Sequence, residues 1–167
     1  MFGLISDRQL PIEALDDDRL VRLLEYWTGK KGDRIMPERS DIDPLELKEH
    51  MGQLHLIDVL GPNSFRYRIY GSRVTNPDLT DMTGKSASDY HDTAIAAMTT
   101  RHYQCCADAR APVFHHIVGE IELHRYEYKR LCLPLSKTGE DVDMILASPI
   151  RLVVPSALAA TGRFEDH

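Results

Sequence analysis

The order of elements between residues 54 and 151 constrains this chain most. Two strand-like runs come first, a long helical run follows, and three more strand-like runs close the stretch. In residues 65–70, Phe65, Tyr67 and Ile69 alternate with Arg66, Arg68 and Tyr70, the period of a half-buried strand. Gly61-Pro62-Asn63-Ser64 turns that run back on residues 54–60, and a hairpin follows. Residues 89–109 carry Ala94, Ile95, Ala97, Met98 and Tyr103 on a packed helical face, and Ala111-Pro112 stops the helix. Strands are expected over 113–118, 126–135 and 142–150, with Gly119 in a loop or bulge and Thr138-Gly139-Glu140 turning the last pair. Leu131, Leu133 and Leu135 share one face, and Pro134 belongs near an edge or a strand end. Such an order predicts one α+β domain, a small antiparallel sheet around a side-chain-lined cavity.

The flanking segments are read the same way. Residues 1–15 form an arm with some apolar content. Asp16 to Asp18 open a helix whose face carries Leu20, Leu23, Leu24 and Trp27, and Gly29 and Gly32 end it. Those four residues either cover the sheet of their own chain or pair with a second copy, and a homodimer through them is the expectation. Asp43-Pro44, followed by Glu46, predicts a short helix to about residue 52. A further short helix is expected around Arg73 and Val74. Residues 153–167 are a tail.

Composition narrows the function classes. The chain has 167 residues, enough for one core, with 20 Lys and Arg against 26 Asp and Glu. A net charge of -6 gives no basic face for nucleic acid. No apolar run reaches membrane-spanning length, and residues 1–10 lack the core of a secretory signal, so the cytoplasm is the expected location. Three cysteines, Cys105, Cys106 and Cys132, have no framework or metal-site spacing and read as buried thiols.

Several motifs together resemble the PAS domain family, in particular stand-alone PAS-like proteins of alphaproteobacteria. They are Tyr26-Trp27, Asp41-Ile42-Asp43-Pro44, Phe65-Arg66-Tyr67-Arg68-Ile69-Tyr70-Gly71, Leu79-Thr80 with Gly84, Leu133-Pro134-Leu135-Ser136, and Val142-Asp143-Met144-Ile145-Leu146. The resemblance spans residues 16–152. It implies a five-stranded antiparallel sheet of order 2-1-5-4-3 with flanking helices and an N-terminal helical extension. It also implies a sensory or regulatory role, and no kinase, cyclase or DNA-binding region accompanies it here. An output would then pass through an effector protein or a dimer surface built by the terminal segments.

Each chemistry-bearing residue has a plainer role beside its functional one. Some PAS domains hold haem on a histidine of the long helix, which singles out His102, although a hydrogen-bonded histidine is the plainer reading. The Asn-Cys-Arg setting of flavin-binding relatives is absent. His115 and His116 are neighbours on a strand and face opposite sides, so no metal site is expected from them with Glu120, Glu122 or His124. No serine sits in a nucleophile elbow. Asp141 and Asp143 read as a solvated acidic edge, and Arg66 and Arg68 as outward arginines. A small enzyme using His102 and Tyr103 is the weakest reading. A non-covalent pocket for a small organic ligand is the strongest, lined by Phe65, Tyr67, Ile69, Ile95, Met98, His102, Tyr126 and Tyr128. Its rival is a filled core serving protein interaction. No cofactor is expected.

Overall fold

The computed structural model describes residues 2–76 and 79–153. Six strands form one antiparallel sheet: β1 (Gly3–Leu10), β2 (His55–Gly61), β3 (Ser64–Ile69), β4 (Val113–Ile121), β5 (His124–Leu135) and β6 (Met144–Val153), in the order β1-β4-β5-β6-β2-β3. Two helices accompany it, α1 (Asp18–Lys31) and α2 (Thr93–Ala109). Numbered without β1, the remaining strands run 2-1-5-4-3. The sheet differs from the expected five-stranded one by the sixth strand at the β4 edge. That strand is built from residues read as an arm, and it pairs with β4 from Gly3↔Glu120 to Leu10↔Phe114.

α1 begins where the acidic run predicts. Asp17 caps it by accepting the Arg19 N–H, and Gly32 ends it at a φ of 56°. Lys129 on β5 reaches Asp16 just before this helix, and its face-mates Leu131, Leu133 and Leu135 are buried. α1 therefore lies over that face of the sheet. Leu20, Leu23 and Trp27 are buried within the chain's own core, and the Trp27 Nε1–H donates to the Pro134 carbonyl at 2.9 Å. Of the residues expected at a dimer surface, only Leu24 retains partial exposure. Side chains spent on their own sheet cannot also face a second copy.

α2 covers the opposite face. Asp92 caps it by accepting from Ala94 N and Ile95 N, and Arg110, at a φ of 51°, closes it. It starts four residues later than the expected 89, because Ala87–Asp89 form a separate 3-10 turn. The helix expected from Asp43 does not form. Its bonds run Glu46 N–H to Asp43 O, Leu47 to Pro44, His50 to Leu47 and Met51 to Lys48, each spanning three residues. Glu46 is drawn away from any capping role, since it accepts from the Tyr26 hydroxyl at 2.7 Å and pairs with Lys30. The segment around Arg73 and Val74 is a turn, not a helix.

Both strand prolines pair within the β5–β6 ladder but lie beyond the end of their strand's other neighbour. β4 pairs with β5 only as far as Cys132, so Pro134 lies beyond it. β2 pairs with β6 over Met144 to Ala147, which leaves Pro149 beyond β2. Gly119 is within β4, and a Cβ there would run into the Phe2 ring. Phe2 is buried over this glycine, and its N–H donates to Asp92 Oδ2 at 2.6 Å. The glycine thus lets the N-terminal strand close over the sheet. Residues 154–167, nearly all of the expected tail, lie outside the described residues.

Candidate functional site

The face of the sheet under α2 carries an unusual amount of polar chemistry for a core. Alternation along β5 points Tyr128, Arg130 and Cys132 the same way, toward α2. The Arg130 Nη1–H donates to His102 Nδ1 at 2.8 Å, and His102 Nε2 lies 2.7 Å from Asp7 Oδ1 on β1. Arginine only donates, so Nδ1 must be the acceptor and the imidazole hydrogen sits on Nε2. A second proton on Nδ1 would meet the Arg130 donor head on. Burial and that cation hold His102 down to about 3, against the pull of Asp7. Burial would raise the Asp7 carboxyl, but hydrogen bonds from His102 and Arg101 outweigh it and hold the carboxyl at about 2. The chain Arg130–His102–Asp7 is therefore cation, neutral imidazole, carboxylate.

His115 stacks on His102 with ring centroids 3.7 Å apart, and its Nδ1 is buried without a partner. Asp7, His102 and His115 bring three possible ligand atoms within 4.8 Å of one another, a spacing a metal ion can use. The donor set does not fit one. Ligation through His102 Nε2 would shift its hydrogen to Nδ1, against the arginine, and would place a second cation beside Arg130. The same contacts occupy both nitrogens of the histidine singled out for haem. His116, one residue on, points the other way and pairs with Glu127 at 2.7 Å.

Nearby, a chain of hydroxyls crosses the core. Tyr67 Oη lies 2.8 Å from Tyr103 Oη and 3.0 Å from Tyr90 Oη, and the Asn76 amide donates to Tyr70 Oη at 2.7 Å. His55 stacks on Tyr70 at 4.0 Å, and its Nδ1 accepts the Gly71 N–H. Burial pushes His55 down to about 3, which keeps it neutral with its hydrogen on Nε2. Arg66 and Arg68 are on the outer face and pair with Asp58 of β2 at 3.3 and 3.1 Å. Asp143 accepts from Lys137 N–H at the turn.

Between these groups lies an inner cavity of about 40 Å³, lined by Phe2, His55, Tyr70, Val74, Thr75, Asn76, Ile95, Met98, Ile117, Tyr128, Arg130 and Pro149. Three residues expected at a ligand site meet there: Ile95, Met98 and Tyr128. Phe65, Tyr67 and His102 are buried around it and build the core rather than the wall, and Tyr126 is buried further along β5. Ile69 is turned out. A bulge between Leu56↔Ile69 and Ile57↔Tyr67 breaks the alternation, leaving Ile69 46% exposed and placing Tyr70 inward instead. Ile69 instead lines a more open apolar cavity of about 250 Å³ on the α1 face, with Ile42, Leu47, Met51, Leu54, Leu56 and Leu146.

Sequence reasoning missed Arg130, Asp7 and His55, and considered His115 only as a metal ligand beside His116. Arg130 was within reach, since it shares the inward parity of Tyr128 and Cys132. Asp7 was not, because only the long-range β1–β4 register brings it to His102.

No described helix is long and apolar enough to cross a membrane. Comparison with curated proteins and with solved structures finds no match. A family model described as PAS domain matches residues 16–148, the stretch that contains both helices and every strand but β1 and the end of β6. With that match over most of its length and a sheet of PAS-like order, the chain belongs to the PAS domain family.

Proposed function

We propose that the protein is a non-catalytic sensory or regulatory PAS module that takes a small molecule into its inner cavity and answers through β1. One observation carries this reading: the Arg130–His102–Asp7 chain links a cavity-lining side chain to the edge strand. A ligand that engages Arg130 draws the guanidinium from His102 Nδ1 and changes how His102 holds Asp7. β1 follows, because Asp7 and Phe2 are its inward anchors. Among the described residues no strand pairs with the outer edge of β1, so its position alters the surface offered to an effector protein or a second copy. Ligand and output are coupled only to the extent that the two states bind the ligand differently.

The test releases small molecules from freshly purified protein by denaturation and identifies them by mass spectrometry. Hydrogen exchange is then compared for loaded and stripped protein. A released molecule whose return changes protection of β1 more than that of β2 and β3 supports the reading. Protein that releases nothing, and whose β1 exchange is unmoved by an extract of cellular metabolites, overturns it.

A further inference from the structure

The charges around the inner cavity do not balance. Arg130 is inside the fold, and among the described residues no carboxylate pairs with it directly. Its hydrogen bonds lead to Asp7 through a neutral imidazole, and Asp7 is already shared with Arg101 at 3.2 Å. One carboxylate thus serves two guanidinium groups. The Arg130 Nε–H is buried and has no acceptor. A half-buried cation with a buried, unmet donor is unfavourable unless an anion or another acceptor reaches it. Among the described residues, the lining includes no acidic side chain. They do include a second donor, because His55 accepts at Nδ1 and so carries its hydrogen on Nε2.

We propose that the inner cavity binds a small monocarboxylate of acetate size, with the carboxylate on Arg130 and the apolar end against Ile95, Met98 and Ile117. The proposal rests on the sensory reading above and names its ligand class. Size sets the upper limit. About 40 Å³ of free space is room for roughly three waters, at ~10–15 Å³ each, and so for an anion of three or four heavy atoms. A dicarboxylate is too long, and among the described lining residues it would find a single guanidinium. Arg130 lines the cavity, and with Nη1 held by His102 its other terminal nitrogen, Nη2, is the donor left for a carboxylate. Ile95, Met98 and Ile117, buried side chains at the same cavity, favour a methyl end over a symmetrical inorganic anion.

The experiment titrates the full chain with sodium acetate and follows the Arg130 Nε–H resonance by NMR, with acetamide, succinate and sodium nitrate as comparison probes at equal ionic strength. Acetate is expected to shift that resonance saturably. Acetamide, succinate and nitrate are expected to bind at least tenfold more weakly. R130M is expected to lose the acetate response, read from the remaining core resonances, while R101Q keeps it. Absence of saturation with acetate, equal binding of any comparison probe, or an undiminished response in R130M overturns the proposal. Should R130M fail to fold, the four probes on the unaltered chain decide the matter. If acetate fails while a released molecule of another class still moves β1, the ligand class is wrong and the sensory reading stands.

Discussion

Acid should unfold this protein early, because three buried imidazoles must stay neutral. His55 and His102 are held at about 3 and His115 at about 4, all chiefly by burial. In the unfolded chain each would titrate near 6.5. The unfolded state therefore binds more protons than the folded state between those values, and stability falls as pH drops through that window. The contribution is complete above 6.5 and is lost progressively toward 3–4. At pH 5 each histidine lies about 1.5 units below its unfolded value, worth about 2 kcal/mol, so the three together remove about 6 kcal/mol relative to neutral pH. That is of the order of a whole domain's stability, typically about 5–15 kcal/mol. Urea unfolding at a series of pH values measures it. The single tryptophan, Trp27, is 3% exposed and hydrogen-bonded to Pro134, so its fluorescence reports the transition. A loss below about 2 kcal/mol between pH 7 and pH 5 would refute the reasoning, since the imidazoles would then take up protons without unfolding. Replacing His55 with Phe should remove about one proton from the pH slope.

Three substitutions probe the packing around the site. Gly119→Ala forces a methyl group into the Phe2 ring and should cost about 1–3 kcal/mol, and Phe2→Ala in the same chain should offset part of that cost in urea unfolding. Tyr67→Phe deletes the hydroxyl shared by Tyr90 and Tyr103 and should cost about 1–3 kcal/mol, while an unchanged midpoint would mean the hydroxyl chain contributes nothing. Trp27→Phe keeps a ring on the α1 face but leaves the Pro134 carbonyl unpaired; a loss of about 1–3 kcal/mol by circular dichroism melts is expected, with the oligomeric mass unaltered.

Local pattern carried most of the fold. The alternation in 65–70, the turn at Gly61-Pro62-Asn63-Ser64 and the breaker at Ala111-Pro112 each act within a few residues, and the hairpin and α2 stand where they point. Two errors came from contacts that pattern does not contain. Gly3–Leu10 becomes a strand because β4 offers it an edge and Gly119 makes room for Phe2, and both conditions lie more than a hundred residues away. The segment after Asp43 carries good helix-opening signals, but Tyr26 and Lys30 claim Glu46 and the short run tightens into turns. The site was half legible. Ile95, Met98 and Tyr128 follow from periodicity. A single bulge at the end of β3 was enough to turn Ile69 out and Tyr70 in.

The account stands on His102 as the link between the cavity and β1, and a double-mutant cycle measures that link. Arg130→Met and Asp7→Asn are made singly and together, and their unfolding free energies are compared in the native background and again with His102→Phe. Arg130 and Asp7 share no hydrogen bond, so their coupling is the part relayed by the imidazole between them plus their direct charge attraction, and only the first is lost with His102. A coupling of about 0.5–3 kcal/mol that falls to the residual charge attraction in the His102→Phe background is the predicted result. Additive losses in the native background, or a coupling undiminished by the loss of His102, would contradict it.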